Sequence, residues 1–274
     1  MSAACNLCGG TDRRVLETAA DGVRAVQCAR CRLIFLDPFP KFDSAVHYDA
    51  DYYRPWLAEQ ARQRAALWGK RVDFLERFAR AGRLLDVGCG DGSFLLAARE
   101  RGWRVVGTEV SRWAAGMLRD TRGLAILEGD LLHVNHLEMS VDVVTMWHVL
   151  EHMDRPLQTL ARARELLTDK GIIIVAVPNA GFTLFRVAYP VARLRRLRYY
   201  TPGERELHLH HFTPDTLRAM LEKVGFRTVF EGIDESALRP VNILLERAAM
   251  AIYTLTGACW SEALLVVAAK AGTR

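Results

Sequence analysis

The 274-residue sequence contains no uncharged apolar run of the roughly 20 residues that a membrane-spanning helix needs. The apolar stretch from Val241 to Ala269 is interrupted by Glu246, Arg247 and Glu262. The first ten residues lack the apolar centre of a secretory signal, and the chain has no internal repeat or low-complexity tract. These absences predict a globular, cytoplasmic protein without a transmembrane segment.

The composition narrows the class further. Half of the residues are hydrophobic and 25% are charged, which argues against a disordered or fibrous chain. The length allows one large domain with a small appendage. The net charge is +5, and the segment from Phe182 to Tyr200 contains five arginines and no acidic residue. Such a basic segment binds phosphate groups, RNA or anionic lipid, or is simply a solvated helix face.

Predicted strands and helices alternate from Arg83 onward. Buried strands are predicted at "RLLDV", "WRVVGTEV", "LAILEGDL", "VDVVTMW" and "GIIIVAVPN", and helices at "GSFLLAARERG", "SRWAAGMLRD" and "PLQTLARARELLTDKG". A tyrosine-rich connector and a helix from about Leu57 to Arg80 precede them. This order predicts an α/β fold with a doubly wound, mostly parallel sheet that binds its ligand at the carboxyl ends of the strands.

A glycine-rich loop follows the first of these strands. In "LLDVGCGDGSF", Asp86 lies two residues before Gly88, and Gly90 and Gly92 follow. Glycines at this point let the backbone approach a ligand closely. The spacing is G-x-G-x-G rather than the G-x-G-x-x-G of dinucleotide sites, and the acid suits a ligand with a positive end.

The sequence resembles the class I S-adenosylmethionine-dependent methyltransferases, in the small-molecule group that carries "HVLEH" (His148–His152) and "HHFTP" (His210–Pro214). The resemblance implies a Rossmann-like sheet and S-adenosyl-L-methionine as cofactor. It implies that Glu109 binds the ribose hydroxyls, that Asp130 meets the adenine amino group and that Leu131 packs on the ring. The other implied cofactor contacts are Asp86, Gly88, Cys89, Gly90, Gly92 and Trp147.

Two Cys-x-x-Cys pairs lie near the N-terminus, at Cys5, Cys8, Cys28 and Cys31. In a reducing compartment this spacing favours a metal over disulfides, and four thiolates form a tetrahedral zinc site with no open position. The predicted zinc is therefore structural; iron is the alternative. Some members of the resembled group carry such a segment, and this sequence departs from it at Arg32, where glycine is commoner.

The predicted organisation has three parts. Residues 1–38 form a zinc knuckle or ribbon, residues 39–80 a connector and helix, and residues 81–274 the cofactor-binding domain. A helical insertion, or lid, is predicted within that domain at residues 181–211.

The methyl acceptor is predicted to lie beside "MWHVLEH". Methyltransferases that act on exocyclic amines of nucleic acids carry an Asn/Asp-Pro-Pro-aromatic sequence here, and its absence leaves room for a histidine base acting on oxygen or carbon. His148 and His152 are the candidates, with Glu151 positioned to orient one of them; packing roles are the alternative.

Two further groups are candidates for the acceptor pocket. One consists of Tyr48, Tyr52 and Tyr53. The other consists of His208, His210 and His211, which also suggest a second metal site.

The arginines of the predicted lid suit an anionic small molecule or glycan precursor, nucleotide-linked or lipid-linked. Methylation of RNA or protein is the second hypothesis. A non-catalytic cofactor-binding scaffold is the third, and the sequence does not predict an oligomeric state.

Overall fold

The structure is a computed structural model, and it describes residues 4–41, 47–58, 61–134, 140–181, 198–234, 248, 250–253, 255–256 and 261–272, with the side chains of 55–58 and 61–64 excepted. The first part comprises strands β1 (Arg13–Thr18), β2 (Arg24–Cys28) and β3 (Ile34–Asp37), then helices α1 (Ala50–Ala58) and α2 (Ala61–Leu75).

The second part alternates strands and helices. It comprises β4 (Arg83–Val87), α3 (Ser93–Glu100), β5 (Arg104–Glu109), α4 (Arg112–Arg122), β6 (Ala125–Glu128), β7 (Val141–Trp147), a 3₁₀ turn (Leu150–His152), α5 (Pro156–Leu166), β8 (Leu167–Pro178), β9 (His210–His211), α6 (Pro214–Lys223), β10 (Phe226–Ile233) and β11 (Ala263–Lys270).

Seven of the described strands form the main sheet, in the order β10-β11-β8-β7-β4-β5-β6. Strand β11 is antiparallel to both of its neighbours, and the other pairings are parallel. The chain runs from β4 outward to β5 and β6, then returns to β7 on the other side of β4. This reversal opens a crevice at the carboxyl ends of β4 and β7, where doubly wound sheets bind ligands. The predicted fold class is confirmed.

The alternation of side chains in β8 shows why the sheet is covered on both faces. Ile173 and Val175 pack in one hydrophobic cluster with α5 and α6, while Ile172 and Ile174 pack in another with α2, α3 and α4. Successive side chains of a strand point to opposite faces, so a run of apolar residues fills two cores.

A smaller antiparallel sheet has the order β1-β2-β3-β9 among the described strands. Its last strand comes from the "HHFTP" segment, since β3 pairs Phe35 with His210. Val26 and Phe35 belong to the first cluster of the main domain. Ala25 and Leu36 face a third cluster, which contains Leu207 and Leu209. The N-terminal sheet is therefore packed into the domain, and the predicted boundary at residue 38 stays a prediction.

Three predicted boundaries differ from the structure. The tyrosine-rich connector is helical from Ala50 to Ala58, and the next helix ends at Leu75 rather than Arg80. Strand β8 begins at Leu167, directly after α5 and before the predicted "GIIIVAVPN". At the end of α2, Leu75 is fully buried, whereas Phe78, beyond the helix, packs at the margin of the same cluster.

Candidate functional site

The glycine loop has the backbone that only glycine adopts readily. Gly88, Gly90 and Gly92 have φ values of 68°, 57° and 72°. A Cβ at Gly88 would lie 2.8 Å from Val149 Cγ1, so the close approach of the "HVLEH" loop also requires glycine there. Cys89 contributes backbone to the loop, while its side chain is buried in the core beside Gly107.

Glu109, at the end of β5, lies against this loop. Its Oε2 accepts the backbone N–H of Gly90 at 2.8 Å and its Oε1 accepts that of Ser111 at 2.8 Å. Burial raises the pKa of Glu109, and these hydrogen bonds oppose the rise. These two backbone donors fix the plane of the carboxylate, and hydrogen bonds from the Tyr53 side chain and the Val110 backbone also act on it. This arrangement can bind a vicinal diol.

Asp86 is buried at the end of β4. Its Oδ1 accepts a hydrogen bond of 2.7 Å from Thr145 Oγ1. Burial raises its pKa to about 7, against the hydrogen bond from Thr145 and the charge of Arg71. A cationic ligand would stabilise the ionised form of this carboxyl group, because opposite charges attract strongly where water is excluded.

An aromatic cluster lies over the end of β5. The rings of Tyr48 and Tyr52 are 4.8 Å apart, those of Tyr52 and Tyr53 are 5.0 Å apart, and Tyr53 stacks on Trp113 at 5.9 Å. Burial raises the pKa of all three tyrosines. Ser111 Oγ donates to the backbone carbonyl of Tyr48, which ties the cluster to α4. The tyrosines are thus brought to the predicted site.

Asp130 forms a turn after β6. Its Oδ1 accepts the backbone N–H groups of Leu132 (2.8 Å) and His133 (3.1 Å), and its Oδ2 lies 2.8 Å from His133 Nδ1. Leu131 is 1% exposed and packs in the first hydrophobic cluster. Their contacts with adenine stay predictions.

Trp147 ends β7, and its ring packs against the buried side chain of Arg71, which the sequence did not reveal. The guanidinium of Arg71 lies 4.6 Å from the ring of Trp68 and 4.5 Å from that of Trp147. Arg71 also forms a buried ion pair with Asp234, the residue after β10. The available signal was helical spacing, because Arg71 lies three residues after Trp68 and four before Leu75, on the buried face of α2.

His148 follows Trp147 and lies between two carboxylates. Its Nε2 lies 3.1 Å from Asp234 Oδ2, and its Nδ1 lies 3.7 Å from Glu151 Oε1. Burial alone would lower the pKa of His148, but these two carboxylates raise it to about 9. Burial would likewise raise the pKa of Asp234, and the charge of Arg71 with the bond from His148 lowers it to about 2. His148 is therefore an imidazolium at neutral pH.

Glu151 and His152 lie in the 3₁₀ turn that follows. Glu151 is 1% exposed, and among the described residues neither of its carboxylate oxygens has a hydrogen-bond partner. His152 Nε2 lies 3.9 Å from Glu151 Oε1, whereas His152 Nδ1 is 2.8 Å from the carbonyl of Leu207. A carbonyl only accepts, so Nδ1 carries the proton and Nε2 is left as the basic nitrogen.

The three histidines near residue 210 do not converge on one point: the rings of His208 and His211 are 6.2 Å apart, whereas that of His210 packs on Phe212. The ring of His208 lies 4.8 Å from that of His152, and His210 is buried in β9. Ligand-type atoms of Glu151, His152 and His208 lie within 4.8 Å of one another.

The four cysteines of the N-terminal segment converge. All four Sγ atoms lie within 4.8 Å of one another, with Cys5–Cys31 and Cys8–Cys28 at 3.5 Å. Zinc–thiolate bonds of about 2.3 Å in a tetrahedron put sulfurs about 3.8 Å apart, so the cluster fits zinc. Arg32 has φ 68°, the conformation that glycine favours.

Of the predicted lid, residues 182–197 lie outside the described part of the chain. Arg198 Nε lies 3.8 Å from Glu17 Oε1. Within the described ranges, no helix is both long and apolar enough to cross a bilayer.

Comparison with known proteins gives matches to one family over the part of the chain that contains the glycine loop. The family model described as a methyltransferase domain matches residues 58–230, more than half of the chain. A ubiquinone biosynthesis O-methyltransferase from Ruegeria sp. (strain TM1040) is 30% identical over 152 residues, 54% of this chain and 61% of that protein. The chain thus spans less than two thirds of this relative's length.

Two further similarities extend over more of the chain. A malonyl-[acyl-carrier protein] O-methyltransferase from Geobacter sulfurreducens is 27% identical over 202 residues, 71% of this chain and 73% of that protein. The solved structure of the CcbJ methyltransferase from Streptomyces caelestis has a TM-score of 0.57 at 17% identity, covering 84% of this chain and 100% of that one. The structural similarity concerns the fold alone.

Proposed function

The chain belongs to the methyltransferase domain family, and on that premise we propose that it is an S-adenosylmethionine-dependent methyltransferase acting on oxygen or carbon of a small molecule or glycan precursor. One observation carries the proposal. Glu109 is buried at the end of β5 with its carboxylate held by Gly90 and Ser111, beside the glycine loop. A scaffold without a ligand has no need of a buried acid whose oxygens are oriented in this way.

The cofactor would be held along the carboxyl ends of β4 to β7. Asp86 would face the positive end of the cofactor, and Glu109 would accept hydrogen bonds from the ribose hydroxyls. The backbone of the loop from Gly88 to Gly92 would pass close to the cofactor. Asp130 and Leu131 would lie towards the adenine, and Trp147 towards the methyl group. Cys89 would contribute its backbone only, because its side chain is part of the core.

His152 is the better candidate for the base. When bound, S-adenosylmethionine would supply the methyl group, and the base would take the proton that the acceptor oxygen or carbon loses. In the neutral ring of His152 the free nitrogen is Nε2, because Nδ1 donates to the carbonyl of Leu207. His148, by contrast, is already protonated between two carboxylates. Glu151 would stabilise the imidazolium that forms on His152.

The nature of the acceptor is supported by two observations. Both relatives named above are described as O-methyltransferases. The basic segment that begins at Phe182 suits an anionic acceptor, such as a nucleotide-linked or lipid-linked sugar.

The test uses the purified protein and methyl-labelled S-adenosylmethionine. Label should be transferred to one member of a panel of nucleotide-linked and lipid-linked sugars, phenols and carboxylic acids, and not to bulk RNA or protein. Transfer to RNA or protein alone would contradict the acceptor class. Absence of cofactor binding by calorimetry would contradict the activity itself.

A further inference from the structure

Asn6 lies in the turn between the first two cysteines and reaches out of it. Its Nδ2 donates to the backbone carbonyl of Asp154 at 2.9 Å and lies 3.0 Å from His210 Nε2. One amide nitrogen carries two hydrogens, and both are directed to groups of the main domain. Asp154 is two residues after His152, so this side chain touches the loop of the proposed base.

The partner nitrogen of His210 must act as the acceptor. His210 is 1% exposed, and burial lowers its pKa to about 3 although a hydrogen bond to the backbone of Met153 opposes the shift. The ring is neutral, and Nε2 is its unprotonated nitrogen because the amide of Asn6 supplies the hydrogen. The contact therefore fixes the orientation of the amide and of the imidazole together.

Backbone hydrogen bonds connect β3 to the same loop through Leu209, the residue before β9. Leu36 N donates to Leu209 O at 3.0 Å, and Leu209 N donates to Glu151 O at 2.8 Å. The carbonyl that accepts from His152 Nδ1 belongs to Leu207, two residues before Leu209. The segment of Leu207 and Leu209, which orients His152, is thus hydrogen-bonded to β3. Leu207 lies three residues before His210, which Asn6 contacts.

We propose that Asn6 is a positioning residue that sets the orientation and tautomer of His152 from the four-cysteine segment. Asn6 would act from two sides of His152. It binds the carbonyl of Asp154, two residues after His152, and it contacts His210, three residues after the Leu207 carbonyl that accepts the Nδ1 proton of His152. The inference rests on the proposed function only where it predicts an effect on catalysis, because that effect requires His152 to be the base. The geometric claim concerns His152 alone.

The variants follow from this geometry. Asn6→Asp keeps the shape of the side chain but cannot donate, and it places a negative charge beside the Asp154 carbonyl. Asn6→Ala removes the contact without adding charge, and serves if the aspartate variant does not fold. Gln27→Glu is the matched control, because Gln27 Nε2 donates at 3.3 Å to Arg32 O, within the N-terminal segment.

The measurement is nitrogen NMR of histidine-labelled full-length protein, with S-adenosylmethionine affinity and the thermal midpoint recorded on the same samples. In the wild type and in Gln27→Glu, His152 should show protonated Nδ1 and unprotonated Nε2. In either Asn6 variant that tautomer should fall to a mixture, with cofactor Kd within about twofold, roughly 0.4 kcal/mol.

An unchanged His152 signal in a folded Asn6 variant would overturn the proposal. The proposal would also be overturned if the His152 signal changed only in variants that had lost cofactor binding and had a lower thermal midpoint. Asn6 would then support the fold as a whole. Turnover with an acceptor separates the two claims. If the tautomer changes and the rate does not, the positioning role stands and the base assignment of the proposed function fails.

Discussion

Glu109 and Glu128 are register partners in the adjacent parallel strands β5 and β6, yet their surroundings differ completely. Glu109 is 4% exposed and accepts two backbone N–H groups. Glu128 is at the surface, where it pairs with Arg112 and Arg119. Only the first acid lies beside the glycine loop, so the second is a matched control for any test of cofactor binding.

Arg32→Gly should stabilise the protein. Arg32 has φ 68°, a conformation that costs a non-glycine residue about 1 kcal/mol, and glycine removes most of that cost. Urea unfolding should show a gain of about that size. Arg30→Gly, at a nearby position without positive φ, should give no gain; an equal gain from both variants would contradict the explanation.

The four-cysteine cluster should contain one zinc per chain. Elemental analysis of purified protein should give a stoichiometry near one, and Cys28→Ser should lose the metal while retaining S-adenosylmethionine binding. Stoichiometric iron would refute the zinc assignment. A second zinc per chain that remains bound in Cys28→Ser would indicate a metal at Glu151, His152 and His208. It would contradict the role of His152 as base.

His148 should make stability depend on pH. Its pKa is raised to about 9 by Asp234 and Glu151, against an ordinary value of 6.5. A raised folded-state pKa contributes stability that is complete below the unfolded pKa and is lost as pH rises through the folded one. The wild type should therefore lose stability between about pH 6.5 and 9 relative to His148→Gln. Urea unfolding across that window measures it, and a pH-independent difference would contradict the ion pairs.

His152→Ala should lower turnover about 10²- to 10⁴-fold, the usual effect of removing a general base. Cofactor affinity should change little, because Asp86, Glu109 and the glycine loop are untouched. The assay uses the acceptor identified with labelled cofactor and is corrected for the folded fraction. His148→Ala should cost less. If His148→Ala is the more damaging of the two, the base assignment is wrong.

The sequence predicted the features that depend on local pattern and missed those that depend on contacts between distant residues. The alternation from Arg83 onward and the glycine loop depend on neighbouring residues, and the structure shows both of them. The pairing of β3 with β9 joins Phe35 to His210 across 175 residues (210 − 35), and no local pattern specifies such a partner.

The same reason explains the residues that were missed. Nothing in the sequence indicated a buried Arg71, because arginine is rarely buried without a partner. Its partner, Asp234, lies 163 residues later, and the two tryptophans that cover it come from α2 and β7. Asn6 carries no signal of its own, since its contacts exist only once β9 has joined the small sheet.

The most direct test of the central claim is the calorimetric affinity for S-adenosylmethionine of the wild type, Glu109→Ala, Glu109→Gln and Glu128→Gln. Glu109→Ala should bind at least tenfold more weakly, because it loses one or two charge-assisted hydrogen bonds of roughly 1.5–3 kcal/mol each. Glu109→Gln should also bind more weakly, and Glu128→Gln should bind like the wild type. Unchanged binding in both Glu109 variants, or an equal loss in Glu128→Gln, would contradict the assignment of this site as the cofactor site.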